Sequence, residues 1–120
     1  MRLAAPVTGL AILLAAPAIA QPHVMKGAGV GTCGKFASEY RQSPDYFEQY
    51  YFAWAQGFMS GLNLHYMGGS VGMRDLNSRD FDHQQRFIRD FCDKNPLKMY
   101  MEAVRALFWS FPPVPKSTKP

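Results

Sequence analysis

The chain is poor in the features that announce large or catalytic proteins. It has 120 residues and two cysteines, Cys33 and Cys92. That length allows one modest core, which excludes large enzymes, doubly wound nucleotide-binding folds and multipass membrane proteins. Beyond residue 20 no apolar run approaches the roughly 20 residues of a membrane span. Basic side chains are interspersed with acidic ones at a net charge of +4, so the clustered basic face of a nucleic-acid binder is missing. Sustained strand-like alternation is absent. His23, His65 and His83 are the only histidines, and they show neither helical i, i+4 pairing nor a cysteine at ligand spacing, so no metal site is expected. In Gly57-Phe58-Met59-Ser60-Gly61 the serine is one position away from a nucleophile elbow. Asp80 and Asp82, two apart, would point in different directions from a helix. Nothing assembles a nucleophile, a base and an oxyanion site. The chain therefore reads as non-enzymatic, with no cofactor.

What is present begins with an export signal over residues 1–20. Arg2 forms a positive start, Leu3 to Ala16 an apolar stretch, and Ala18-Ile19-Ala20 the small-residue pattern read by signal peptidase. Cleavage after Ala20 predicts a periplasmic protein with no stable membrane span. Every Phe, Tyr and Trp follows residue 20, which argues against a disordered chain. In an oxidising compartment Cys33 and Cys92 are expected to pair. Chain-entropy reasoning puts such a bridge at about 4 kcal/mol.

Gly27, Gly29 and Gly31 make residues 21–31 read as a flexible leader. The pattern over 32–111 predicts an all-α domain, a small four-helix bundle linked by the disulfide. Thr32 caps a first helix with Cys33, Phe36, Ala37 and Tyr40 on one stripe. Ser43-Pro44-Asp45 opens a second, with Phe47, Tyr51, Trp54, Phe58 and Leu62 at helical spacing. Asp80 or Ser78 starts a third, whose inner face is Phe81, Ile88, Phe91 and Cys92. Its outer face offers the i, i+4 pairs Asp82–Arg86, Arg86–Asp90 and Arg89–Asp93. Asn95-Pro96 ends it and begins a fourth, with Leu97, Tyr100, Met101, Val104, Leu107, Phe108 and Phe111 on its stripe. Residues 112–120, rich in proline and lysine, read as a disordered tail.

Two features invite a contact. Ala53, Gly57 and Gly61 lie four apart on the second helix. Glycine weakens a helix interior by about 1 kcal/mol against alanine, so the face implies close approach of another helix or a groove. Residues 66–77, with Met67, Gly68, Gly69, Gly72 and Met73, form a loop longer than usual and are the candidate partner-contact site. Trp109, on the polar side of the fourth helix, either folds back on Pro112 and Pro113 or stands as an exposed anchor.

The plan resembles the HdeA/HdeB-like periplasmic acid-stress chaperones. The likeness is carried by Thr32-Cys33-Gly34-Lys35-Phe36, by Trp54-Ala55-Gln56-Gly57-Phe58-Met59-Ser60-Gly61 and by Phe91-Cys92-Asp93-Lys94-Asn95-Pro96. It implies binding of unfolding client proteins, as a monomer or a homodimer. A second likeness, in Gly57-Phe58-Met59-Ser60-Gly61, Asn95-Pro96 and Ala106-Leu107-Phe108-Trp109-Ser110-Phe111-Pro112, is to the Tai/Rap-type immunity proteins of type VI secretion. It implies one specific protein partner. Without Arg2 the side-chain charge is +3; with nine carboxylates neutral and three histidines charged, twelve basic side chains bring it to +15. Such self-repulsion would loosen a bundle while the bridge keeps it compact.

Overall fold

A computed structural model describes residues 24–116. The expected export signal and its cleavage site, the first residues of the leader, and residues 117–120 lie outside the described residues. Four α-helices carry the fold, and no strand occurs among the described residues. Helix α1 spans Cys33–Gln42, α2 Pro44–Tyr66, α3 Phe81–Lys94 and α4 Tyr100–Ser110.

Local chemistry sets most of the helix starts. The Thr32 hydroxyl accepts from the Lys35 amide at 3.1 Å, satisfying one of the donors that a helix N-terminus leaves free. Pro44 opens α2 at the position where a missing N–H costs nothing; Ser43 makes no side-chain cap there. Asp80 accepts from the His83 amide at 2.7 Å and starts α3.

The fourth helix begins later than its sequence suggests. Residues 96–99 pair with the backbone before and at the start of α1: Gly34 N–H donates to Pro96 O at 2.9 Å, Cys33 N–H to Lys98 O at 2.7 Å, and Tyr100 N–H to Gly31 O at 2.8 Å. Those carbonyls and amides are unavailable to a helical turn, so α4 starts at Tyr100. Leu97, expected on the buried stripe, is 93% exposed. Glu102 accepts from the Met99 amide at 2.9 Å and closes the first turn of α4.

Cys33 and Cys92 form the expected disulfide, joining α1 to the end of α3 with Cα atoms 4.7 Å apart. Both are buried, beside a triangle of aromatic rings. Phe36, Tyr51 and Tyr100 meet pairwise with centroids 4.8–5.0 Å apart, in the tilted and edge-on arrangements that ring quadrupoles favour. Met59, Ile88, Val104, Leu107, Phe108 and Phe111 complete the core. Phe81 lies outside it, 61% exposed and edge-on to Phe52. Its place on the inner face of α3 is taken by Gln84, which is 1% exposed. Gln84 donates to the carbonyls of Leu76 and Arg79 and accepts from Gln56, so its burial leaves no polar atom stranded. The i, i+4 ladder on α3 does not form. Arg89 pairs instead with Glu48 of α2 and lies over the Tyr40 ring.

The leader is a packed element over its described part. Ala28–Val30 make one turn of 3-10 helix, and Ala28 and Gly29 are buried. The Trp54 indole donates to Lys26 O at 3.0 Å. Residues 112–116 of the tail are likewise engaged. Asp75 N–H donates to Pro112 O at 2.9 Å, and Val114 N–H to Met73 O at 2.8 Å.

Candidate functional site

The long loop after α2 is the expected contact site, and its geometry shows how it is held. Asn63, near the end of α2, grips Arg74 twice: its Nδ2 donates to Arg74 O at 2.9 Å, and its Oδ1 accepts from Arg74 N–H at 2.8 Å. Gly68 and Gly72 have φ of 76° and 73°, a left-handed backbone that only glycine adopts freely. The tail pairs with the loop beside Arg74. Between loop and tail lies a hollow of about 510 Å³, lined by Gly68, Gly69, Gly72, Met73, Val114 and Pro115 among others.

Two arginines close the end of α4. Arg74 Nη1 donates to Phe111 O at 3.3 Å; Arg79 donates to Ser110 Oγ at 3.1 Å and to Ser110 O at 3.2 Å. Both meet carbonyls at the negative end of the helix dipole. The Arg74 guanidinium also lies 4.9 Å from the centre of a Trp109 ring. Trp109 stands against Tyr66, with centroids 5.4 Å apart, and remains 39% exposed. Its neighbours are thus a tyrosine and an arginine. Met67, Val71 and Leu64 are exposed near this end of α2. The sequence-derived contact residues Met67, Gly68, Gly69, Met73 and Trp109 therefore belong to one end of the molecule, around the α2 C-terminus and the α4 C-terminus.

Ala53, Gly57 and Gly61 occupy a different place. They are exposed, and a Cβ built on Gly57 or Gly61 meets nothing within 4 Å. No described helix packs on them, so close approach among the described residues does not explain these glycines. The open face remains.

A second concavity, of about 480 Å³, opens where the leader, α1 and α2 meet. Lys35, Glu39, Tyr46, Phe47, Tyr50 and Tyr51 face it, beside the backbone of Gly27–Gly31. Tyr51 O–H donates to Glu39 Oε2 at 2.6 Å, and Lys35 Nζ is 3.8 Å from Glu39 Oε1. Burial, and then the bond to Glu39, push the Tyr51 pKa upward, so the hydroxyl stays protonated and donates. Sequence reading missed this cleft because its floor is the leader, whose glycines looked flexible. The signal available was the pairing of small leader residues with Trp54.

Among the described residues, no group of His, Cys, Asp and Glu is placed to hold a metal ion, and no described helix is long and apolar enough to cross a membrane. His65 and His83 are exposed on separate elements, His83 beside Arg79. Comparison of the chain with protein-family models, with curated proteins and with solved structures finds no match.

Proposed function

We propose that the chain is a periplasmic, non-enzymatic protein-binding protein, an HdeA/HdeB-like acid-stress chaperone that works as a small four-helix bundle after removal of its signal peptide. The observation that carries this reading is the exposed set of large apolar and aromatic side chains, Tyr46, Tyr50, Leu64, Met67, Val71 and Trp109, on a frame closed by a buried disulfide. Single exposed apolar residues are ordinary, but a set along one long helix, its following loop and the adjoining end of α4 suits the capture of unfolded chains.

Acid has structural handles here. Carboxylates hold the fold at several points: Asp80 and Glu102 accept from helix N-terminal amides, and Glu39 holds Tyr51 and Lys35. The positive charge that accumulates in acid loosens the bundle while Cys33–Cys92 keeps α1 on α3. The test is light scattering of unrelated client proteins near about pH 2–3, where carboxylates are protonated. Protection in acid, little protection at neutral pH and weaker protection by the reduced protein are expected. Absence of protection at every acid pH removes the chaperone reading.

The pinned glycine loop favours a second reading, an immunity or inhibitor protein of the Tai/Rap kind. Asn63, Arg74 and the tail hold the loop, with Met73 lining its hollow and Trp109 against the Arg74 guanidinium, and preorganisation serves tight binding of a single partner. Capture of one partner at neutral pH, weakened by Met67→Ala or Met73→Ala, would select it.

A further inference from the structure

The cleft between the leader, α1 and α2 is walled by rings. Tyr46 and Tyr50, and Phe47 and Tyr51, are i, i+4 pairs on the first two turns of α2, so all four share one face of that helix. All four line the cleft of about 480 Å³, a size within the range of small-molecule pockets. The rings of Tyr46 and Tyr50 lie 5° from parallel, with centroids 6.4 Å apart. Phe47 stands at 83° to Tyr46, and Tyr51 at 86° to Tyr50. The wall therefore holds ring planes at right angles, two exposed and two more deeply set.

Two charged side chains reach the same cleft from α1. Glu39 is anchored by Tyr51, a 2% exposed residue whose hydroxyl donates to Oε2 at 2.6 Å. Its other oxygen, Oε1, has Lys35 Nζ at 3.8 Å, beyond hydrogen-bond length. The Lys35 side chain is 63% exposed against 24% for Glu39, and a lysine one turn before a glutamate is the weaker order for such a pair. The carboxylate is thus fixed, and the cation beside it is loosely held. The leader leaves room at this point: a Cβ on Gly31 would lie 3.7 Å from Lys35 Cδ and 4.0 Å from the Tyr51 hydroxyl oxygen, so a side chain there would reach into the cleft.

We propose that this cleft binds a small organic cation of the quaternary ammonium class, which takes the place of the Lys35 ammonium beside Glu39 and rests its methyl groups on the surrounding rings. Ring faces carry the negative part of the aromatic quadrupole, and clustered rings hold quaternary ammonium groups by that attraction. The same faces, with Glu39, disfavour an anion. Methylation suits the site because acceptors on this wall are few. Glu39 Oε2 already accepts from Tyr51, and rings accept hydrogen bonds only weakly. An ammonium bearing N–H donors would leave them unpaired on quitting water, whereas a quaternary nitrogen has none to lose.

This inference does not rest on the chaperone reading, because binding of a solute at neutral pH and client protection in acid are separate readouts. The experiment titrates choline chloride into the purified, disulfide-bonded protein at neutral pH and constant ionic strength, followed by calorimetry. Half-saturation is expected at about 1 mM or below, the weak end of specific association. The uncharged carbon analogue of choline, 3,3-dimethyl-1-butanol, should bind about tenfold more weakly or worse, since it lacks the charge that the rings attract. Tyr46→Ala and Tyr50→Ala should each weaken choline binding about two- to fivefold with helicity intact, while Tyr50→Phe, which keeps the ring, should not. Glu39→Gln, which keeps an acceptor for Tyr51, should weaken it further. Lys35→Met removes the competing ammonium and should tighten binding about twofold. Phosphatidylcholine vesicles carry the same cation at a surface: co-sedimentation with them would name a lipid headgroup as its source, and free choline binding without it a soluble ligand. Absence of saturation by choline, equal binding of the uncharged analogue, or a loss of affinity on Lys35→Met overturns the proposal.

Discussion

Gly29 and Gly57 occupy opposite kinds of place. At Gly29 an added Cβ would fall 1.9 Å from Cη2 of Trp54, inside the indole itself, and at Gly27 it would lie 2.9 Å from Cδ1 of the same ring. At Gly57 and Gly61 it would meet nothing. The segment whose glycines suggest looseness is seated against an aromatic plane, and the helix whose glycines suggest tight packing carries them in the open. Glycine has two physical uses, permissive backbone and absence of bulk. Neither its spacing nor its element decides which is in play; the neighbour across space does.

The largest effect that would break this contrast is at the leader. Gly29→Ala should cost about 1–3 kcal/mol in urea unfolding, the usual range for overpacking. Most of that cost should disappear in a Trp54→Leu background, where the obstructing ring is gone; additive losses would place the strain elsewhere. On the open helix the sign reverses. Gly57→Ala and Gly61→Ala should each raise stability by up to about 1 kcal/mol in dilute protein, because alanine gains helix propensity and meets no clash. A fall in melting temperature would reveal an intramolecular contact at that face.

A smaller effect tests the inner side of the same helix. Burial raises the Glu48 pKa more than the neighbouring Arg89 lowers it, with Asp82 adding to the rise. A carboxyl whose folded pKa exceeds its unfolded value holds its proton more tightly in the fold. It therefore costs stability above its titration range, and that cost is relieved as pH falls through it. Glu48→Gln, which keeps an oxygen acceptor for Arg89, should give a small rise in melting temperature at neutral pH that fades in acid. A clear loss at neutral pH would show that the pairing with Arg89 outweighs its desolvation. By the same sign, Glu48 resists acid loosening, which must come from accumulated charge.

Where local chemistry decides, the sequence was readable. Thr32, Pro44 and Asp80 start their helices as their side chains suggest, and Cys33 meets Cys92. The stripe of Tyr100, Val104, Leu107, Phe108 and Phe111 is buried. Where distant backbone decides, it was not. Residues 96–99 are drawn from a helical turn by hydrogen bonds to the segment around Cys33. Arg89 reaches across to Glu48 in preference to its own helix. Phe81 yields the inner face to Gln84, whose three partners lie on the preceding loop and on α2. Of the candidate contact residues, Met67, Gly68, Gly69 and Met73 could be chosen from composition and loop length, and Trp109 from its place on the polar side of its helix. Their anchoring by Asn63, Arg74 and the tail could not, because those bonds join positions far apart in sequence.

The grip on Arg74 also governs how the chain meets proteases. A dozen residues with three glycines and one arginine would ordinarily invite an enzyme that cuts after basic side chains. Such an enzyme must draw the backbone out straight and take the guanidinium into its own pocket. Here Asn63 occupies both the amide and the carbonyl of Arg74, while Phe111 O and the Trp109 face hold its side chain. Cleavage at that bond waits for the whole end of α4 to open, and its rate reports that opening. Lys116, exposed in the tail, should be cut before that bond, so that digestion trims the tail before it opens the loop.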